Sequence, residues 1–191
     1  METVDYISLG PDCNSSIACR NLGLRKHAYP FDWVVANANA IISIIENNFE
    51  DYHSNLHMNW NRWIKNKYEI EFPNDYDTKT TDDGWKIEHE EVREKYERRI
   101  ERFNQIMIKT TPLVILLGHP MADVLRIKQT IKTKYNRDNI YYIVKSSETS
   151  SDDDIFSILN PNDTLTSEQW NNSELWRSTV ERVQQIIESR F

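Results

Sequence analysis

The chain has 191 residues, of which 39% are hydrophobic and 11% aromatic, and its formal net charge is −7 at pH 7. This length suffices for one domain with a hydrophobic core, and the apolar content excludes a disordered chain. The negative charge argues against a protein that binds nucleic acid through a basic stripe.

No segment has the uninterrupted apolar length that spans a bilayer. The first ten residues, METVDYISLG, lack the basic flank and the apolar run of a secretory signal. Cys13 and Cys19 are six residues apart, which places them on different faces of one predicted helix, so we expect two free thiols. Together these features predict a protein of the reducing cytoplasm.

The first predicted elements are a strand and a helix joined by a tight turn. Residues 4–9 are mostly apolar and predict a short buried strand that ends at a Gly-Pro pair. Residues 13–21 then predict a helix with Asp12 as its N-cap. An aromatic segment, HAYPFDWVV, separates this helix from a second one at 37–48.

The middle of the chain combines an irregular segment with the clearest helix. Residues 50–87 predict an insertion or lid within a single α/β domain that spans residues 1–191, and only KYEIEF in it alternates like a strand. Residues 88–109 carry an apolar stripe at steps of three and four, which predicts a long helix packed against the sheet.

The last third alternates between strands and helices. Residues 112–118 and 139–145 are apolar enough for strands covered on both faces, with a helix at 122–135 between them. DIFSIL predicts a short edge strand, and an amphipathic helix ends the chain. We therefore predict a three-layer α/β fold of the Rossmann or SGNH type, with a mainly parallel sheet and helices on both faces.

Cys13 follows the first strand, in the crevice where open α/β sheets bind ligands. A helix N-terminus stabilises a thiolate and offers N–H groups to an oxyanion, which predicts a lowered thiol pKa. Asp12 opposes this effect because its charge would raise the same pKa, and cysteine is also a common small core residue. Position alone leaves both roles open.

Three motifs in order, SLGPDC, YPFDW and EKYERRIERF, resemble a bacterial and viral family described as papain-like cysteine peptidases of unknown function. The resemblance runs from about residue 6 to residue 142. It implies that Cys13 is the nucleophile. The predicted parallel sheet differs from the split helix and barrel of papain, so the resemblance implies a hypothesis about function and not that fold.

Members of this family commonly carry a His-Asp pair in the middle of the chain. The matching stretch, EIEFPNDYD, keeps Asp75 but has Asn74 at the histidine position. Asparagine can position a partner or donate to an oxyanion, but it cannot accept the thiol proton. A nucleophile after the first strand is also similar to SGNH-type esterases, yet no histidine follows His119 to complete their C-terminal Asp-x-x-His.

The base must then come from another histidine, and we prefer His119, followed by His27 and then His53 or His57. His119 ends a strand predicted to lie near the first strand, although it could simply bond locally in its turn. Asp123 could orient the His119 ring or only occupy a first helical turn. His53 and His57 have i, i+4 spacing but no third ligand, so we predict neither a metal nor a cofactor.

Two groups of residues are candidates for substrate binding. Arg98, Arg99 and Arg102 form a basic cluster on the long helix, which could bind a phosphate or carboxylate or could be a solvated face. One of the three could instead pair with Asp32 or Asp75.

Asp32 and Trp33, in the PFDW motif, form the second group. They could be core, or they could form a wall beside Cys13 that suits a sugar or acyl group.

The leading hypothesis is a cysteine-dependent hydrolase or acyltransferase, peptidase-like or esterase-like, with Cys13 as nucleophile. Its substrate would be a small molecule, a glycan or a peptide, and not a nucleic acid. The rival hypothesis is an inactive relative that serves as a binding or host-interaction module, and Asn74 is its main support.

Overall fold

The computed structural model describes residues 4–76, 84–86, 88–158 and 173–190. In chain order its elements are β1 (Asp5–Ser8), α1 (Asn14–Asn21), α2 (Ala38–Glu46), β2 (His57–Met58), β3 (Ile64–Lys65), β4 (Glu71–Phe72), a 3-10 turn (Gly84–Lys86), α3 (His89–Met107), β5 (Leu113–Leu117), α4 (Met121–Tyr135), β6 (Ile140–Val144), β7 (Ile155–Ser157) and α5 (Glu174–Arg190). None of the described helices is long and apolar enough to cross a membrane.

The main sheet has four strands in the order β1-β5-β6-β7, and every neighbouring pair is parallel. In β5 and β6 every residue is buried, because helices cover both faces of the sheet. The register aligns the ends of the three longer strands, with Ser8 beside Leu116 and Leu117 beside Val144. The carboxyl ends of β1, β5 and β6 therefore meet at one edge of the sheet.

Side chains that alternate along the strands build two separate cores. Ile7, Ile115 and Val144 point to the face covered by α2, α3 and α4. Leu116 and Ile143 point to the opposite face, where α1 and α5 pack. The predicted three-layer α/β fold, with a mainly parallel sheet between helices, is thus confirmed.

Helix α3 carries the predicted apolar stripe, and Val92, Tyr96 and Phe103 in it are buried. Most of its ring contacts, however, are with the part of the chain between α1 and α3: Phe103 lies 5.8 Å from Phe31 and 5.3 Å from Phe49, measured between ring centroids. Phe103 also lies 6.4 Å from the ring of Tyr135 in α4. The aromatic residues between α1 and α3 share the core on this side of the sheet, so the helix packs on them.

The segment after α2 forms a small antiparallel sheet in the order β2-β3-β4. KYEIEF was predicted to be a strand, but only its last two residues, Glu71 and Phe72, are one. The side chain of Asn66 accepts hydrogen bonds from the N–H groups of Tyr68 and Ile70, which bends the first half of the motif into a turn. The role of residues 50–87 as an insertion or lid stays a prediction.

Candidate active site at the carboxyl edge of the sheet

The turn between β1 and α1 packs directly onto the end of β5. Gly118 donates its N–H to the Gly10 carbonyl at 3.1 Å, and Ala36 donates to the Pro11 carbonyl at 2.8 Å. Gly10 has a φ of +43°, and a Cβ there would lie 3.1 Å from the Ala36 oxygen, so only glycine fits without strain. The turn delivers Cys13 beyond the carboxyl end of β1, as the sequence predicts.

Cys13 is the N-cap residue of α1, and its free thiol is half-buried. The predicted N-cap, Asp12, lies one residue before the observed one. Its carboxylate nevertheless accepts the backbone N–H of Asn14, the first residue of the helix, at 2.8 Å and the Asn14 side-chain amide at 3.0 Å. Burial raises the pKa of the Cys13 thiol, and the charge of Asp12 raises it further. The lowering of this pKa expected at a helix N-terminus is not found, because burial of the thiol has the larger effect and the charge of Asp12 acts in the same direction.

His119 lies between β5 and α4 with only 3% of its surface exposed. Its Nε2 atom is buried without a hydrogen-bond partner among the described residues, and it lies 3.4 Å from the position of a Cβ on Gly10. Burial lowers the pKa of His119, against the opposing effects of Asp123, a hydrogen bond with the Leu9 backbone and the charge of Asp12. A neutral imidazole therefore faces the turn that carries Cys13.

Asp123 lies in the first turn of α4, where its carboxylate accepts a hydrogen bond from Arg126 at 3.0 Å. Its charge nevertheless acts on His119, since it opposes the lowering of that pKa. Asp123 thus influences the ring through its charge while its hydrogen bond goes to its own helix.

Lys145 is a polar residue of this edge that the sequence analysis missed. It directly follows β6, its N–H donates to the Leu117 carbonyl at 2.9 Å, and 5% of its surface is exposed. Burial lowers the pKa of Lys145 to about 8, and the charge of Asp12 opposes that lowering. The available signal was the placement of a lysine at the end of the apolar run NIYYIVK.

The side chain of Asp32 is completely buried, and its hydrogen bonds connect the segments on both sides of the turn that carries Cys13. Its carboxylate accepts hydrogen bonds from the Tyr29 N–H at 2.9 Å, from Arg25 at 3.3 Å and from the Ser8 hydroxyl. The Ser8 hydroxyl also lies 3.0 Å from that of Ser16 in α1. This buried network joins β1, α1 and the PFDW segment, so we assign Asp32 to the support of the site.

Trp33 is partly exposed and has a left-handed backbone, with a φ of 68°. The guanidinium groups of Arg20 and Arg25 lie 5.0 and 5.2 Å from its ring centroid, which is the geometry of cation–π contacts. Arg25 therefore links the ring of Trp33 to the carboxylate of Asp32.

The arginine cluster of α3 has other partners. Arg98 is exposed and lies 3.7 Å from Glu94 one turn away, whereas Arg99 lies over the Tyr96 ring at 4.8 Å. Arg102 donates to the Ala28 carbonyl at 3.4 Å.

The structure does not support the alternative in which one of these arginines pairs with Asp32 or Asp75. Asp32 is paired with Arg25, and the carboxylate of Asp75 accepts hydrogen bonds from Lys95 and, at 2.6 Å, from the Tyr96 hydroxyl. Asp75 thus fastens the segment after β4 to α3, while Asn74 beside it is exposed. Neither residue contributes a described contact to the turn that carries Cys13.

The remaining histidines have no described contact with the turn that carries Cys13. His27 and His57 are exposed. The His53 ring is hydrogen-bonded to the Tyr76 hydroxyl and stacks on His89 at 5.6 Å, and burial lowers the pKa of His53 to about 4. In the described parts of the chain no three His, Cys, Asp or Glu side chains are grouped to hold a metal.

Comparison with known proteins gives one family. A family model described as "Putative papain-like cysteine peptidase" matches residues 4–146, a range that includes Cys13, His119 and Lys145. An "Uncharacterized protein R408" of Acanthamoeba polyphaga mimivirus is 25% identical over 138 residues, which are 58% of this chain and 60% of the relative. The chain thus matches less than two thirds of that relative's length, and no solved structure matches it.

Proposed function

Because the chain belongs to the family of papain-like cysteine peptidases whose model matches residues 4–146, we propose that it is a cysteine-dependent hydrolase or acyltransferase. In this proposal Cys13 is the nucleophile and His119 is the base. The observation that carries the proposal is the Nε2 of the buried His119, which has no hydrogen-bond partner within the described part of the chain and lies against Gly10, three residues before Cys13.

The electrostatics favour a neutral pair over a preformed ion pair. The pKa of the Cys13 thiol is raised and that of the His119 imidazole is lowered, so both groups are neutral near pH 7 in the free protein. The thiol proton then passes to His119 Nε2, directly or through one water, as the sulfur attacks a carbonyl carbon. Asp123 and Asp12 stabilise the imidazolium that forms, because their charges favour its protonated state.

The rest of the cycle restores Cys13 and His119 to their starting protonation states. The imidazolium of His119 protonates the departing alcohol or amine, which leaves the acyl group on Cys13 as a thioester. In hydrolysis a water gives one proton to His119 and its hydroxyl group to the acyl carbon, the carbon–sulfur bond breaks to release the acid, and His119 returns that proton to the Cys13 sulfur. In acyl transfer an alcohol or amine replaces the water.

For the substrate we propose an acyl compound, either a small ester or amide or a peptide. Trp33 is its candidate wall, because its ring is partly exposed and held by Arg20 and Arg25 on the segment that supports the Cys13 turn. Residues 50–87 are the candidate lid.

A non-catalytic binding module is the second candidate, and the raised pKa of the Cys13 thiol favours it. In this alternative the Asp12 carboxylate completes the end of α1 permanently, and the thiol is a small packing residue. Asn74, at the family's histidine position, supports the same alternative.

Acylation by p-nitrophenyl acetate distinguishes the two candidates. The proposed enzyme releases p-nitrophenolate and carries an acetyl group on Cys13, located by peptide mass spectrometry, whereas Cys13→Ala gives neither signal. We expect His119→Ala to slow acylation by at least about 100-fold, the usual contribution of a general base. His27→Ala is the matched control, because His27 is exposed, and should leave the rate unchanged.

A folded protein whose Cys13 is acetylated no faster than a cysteine in an unstructured peptide, with no dependence on His119, would exclude the enzyme and leave the binding module. A fluorogenic peptide amide, assayed in parallel, separates peptidase from esterase activity.

A further inference from the structure

We propose that a groove along α3 is the docking site for a basic amphipathic helix of a partner protein. The groove has a volume of about 640 Å³ and lies between the end of α2, the C-terminal half of α3 and the end of α4. This inference goes beyond the proposed function, because it concerns another part of the molecule and needs no reaction at Cys13. The side chains that line this α3 groove include Phe49, Glu97, Ile100, Glu101, Ile108 and Tyr135.

The floor of the α3 groove is apolar and is held by the core. Phe49 is buried, and its ring lies 5.3 Å from that of Phe103, measured between centroids. The ring of Tyr135 lies 6.4 Å from the same phenylalanine, and Ile100 packs against the same core. These contacts fix the shape of the floor before any partner binds, which reduces the conformational entropy lost on binding.

Ile108, directly after α3, extends this apolar surface into solvent. It is 77% exposed, and among the large hydrophobic residues in the described ranges only Trp60 is more exposed. A single exposed isoleucine is ordinary on a protein surface, but one that adjoins an apolar groove enlarges a contiguous patch, and such patches mark interaction sites. Covering Ile108 and the floor together therefore provides the hydrophobic part of the binding energy.

The length and the borders of the α3 groove favour a helix as its occupant. From Glu97 to Ile108 the groove extends over about 16 Å, or about three helical turns, at about 1.5 Å per residue. Its lining residues belong to three helices and to the residues that directly follow them, and no strand in the described part of the chain borders it. A partner in extended conformation would find no sheet edge for its backbone, whereas a helix satisfies its own N–H and C=O groups.

The rim of the α3 groove is acidic. Glu97 and Glu101 are exposed one turn apart on α3, and no lysine or arginine is among the lining residues that the structure describes. Arg93 lies 3.2 Å from Glu97 but also pairs with another glutamate. The described hydrogen-bond partner of Glu101 is the neutral amide of Gln105, at 3.2 Å. An occupant with lysines or arginines beside an apolar seam therefore complements both the rim and the floor.

A second copy of this chain is a poor occupant for the same reason. Two α3 grooves that face each other would bring Glu97 and Glu101 of one copy against the glutamates of the other. Like charges in contact oppose association, and the net charge of −7 adds repulsion between whole copies. The occupant is therefore a different protein with a basic segment.

The part of the α3 groove formed by Ile108 and Tyr135 lies at the amino edge of the sheet, opposite to the Cys13 edge. In a parallel sheet the connecting helices run against the strands, so each helix ends near the amino end of the next strand. Ile108 precedes β5 and Tyr135 precedes β6 in this way, whereas Cys13 follows the carboxyl end of β1. A partner helix bound here leaves the turn that carries Cys13 open.

A fluorescein-labelled peptide of about 14 residues, which makes about four helical turns, is the probe, and fluorescence anisotropy measures its binding. Leucines recur in the peptide at helical steps of three and four, and lysines fill the other positions. A second peptide has glutamate in place of every lysine. We expect the lysine peptide to bind at least about tenfold more tightly than the glutamate peptide, because like charges across an interface oppose binding.

Two variants and two matched controls localise this binding to the α3 groove. Ile108→Ser removes the exposed apolar side chain and Glu101→Lys reverses a rim charge, and each should weaken binding of the lysine peptide about tenfold, or ~1.4 kcal/mol. The controls are Leu125→Ser in α4, where the leucine is 42% exposed, and Glu181→Lys at an exposed position of α5. Neither control residue lines the groove, so both should leave the affinity unchanged. All four positions are exposed, so the fold should persist, and thermal unfolding verifies it.

Equal affinity in all four variants would overturn the inference, since the peptide would then bind through the net negative charge alone. The absence of binding at millimolar peptide would overturn it as well. So would a dimer of the chain, observed by analytical ultracentrifugation, that Ile108→Ser dissociates, because a second copy would then occupy the groove. Saturating peptide should leave the acylation of Cys13 by p-nitrophenyl acetate unchanged, so a failure of this inference and a failure of the proposed function are distinguished.

Discussion

Replacing Asp32 tests whether the PFDW motif supports the turn that carries Cys13. The Asp32 carboxylate is completely buried and accepts hydrogen bonds from Tyr29, Arg25 and Ser8, while the Arg25 side chain paired with it is 16% exposed. Removing one partner of a buried ion pair typically costs 3–5 kcal/mol, because the other charge stays buried without compensation. We therefore expect Asp32→Ala to lower the free energy of unfolding by about 4 kcal/mol.

A second variant of the same shape, Asp32→Asn, separates the contribution of the charge from that of the packing. Asp32→Asn keeps the shape and can still accept the Tyr29 N–H, but it loses the charge that strengthens the bond with Arg25. We expect it to cost about 2 kcal/mol, which is the typical worth of a hydrogen bond to a charged group. The comparison of the two variants separates the charge from the packing.

Urea unfolding followed by tryptophan fluorescence measures these losses. The control is Glu94→Gln, which removes a pair with Arg98 in which both side chains are more than half exposed, and which should cost at most about 0.5 kcal/mol. If Asp32→Ala costs no more than Glu94→Gln, the buried network does not hold the turn, and the assignment of Asp32 to structural support is refuted.

Two further predictions follow from charges near the site and in the aromatic core. Asp12→Asn retains an oxygen for the Asn14 N–H but removes the charge that helps to raise the Cys13 pKa, so iodoacetamide should label Cys13 several-fold faster at pH 7, and an unchanged rate would contradict this account. Because burial lowers the pKa of His53 to about 4 from an unfolded value of 6.5, the unfolded chain binds more protons between these values, and stability should fall by about 2–3 kcal/mol as the pH drops from 7 to 4. Unfolding midpoints across this range should show a flatter profile for His53→Gln than for the unaltered chain, whereas His27→Gln should keep the original profile.

The strands and the long helix could be predicted because each depends on a local pattern. Residues 112–118 are apolar at nearly every position, and this pattern holds wherever helices cover both faces of a sheet. KYEIEF has an equally good alternation, yet the side chain of Asn66, just before it, takes its N–H groups into a turn. Hydrogen bonds from one side chain to the backbone are not visible in the periodicity of the sequence.

The candidate site was only partly predictable, because its properties depend on groups that the fold brings together. The position of Cys13 follows from one strand and one turn, so the sequence predicted it correctly. The burial of Lys145 at this edge depends on the register of three strands, and the choice of Arg25 over the α3 cluster as the partner of Asp32 depends on the path of a long connection. Neither the strand register nor the path of this connection can be deduced from the spacing of residues along the chain.

The hydrogen bond between Ser8 and Asp32 has a consequence for how relatives of this chain vary. Ser8 belongs to the SLGPDC motif and Asp32, 24 positions later, to the YPFDW motif, so the two motifs act as a single unit. A relative that loses only the aspartate would bury the serine hydroxyl and Arg25 without their acceptor, and one that loses only the serine would deprive a buried carboxylate of a donor. Relatives are therefore expected to keep both motifs or to replace both. A relative with only one of them would need a new hydrogen-bond partner at the position of the missing residue.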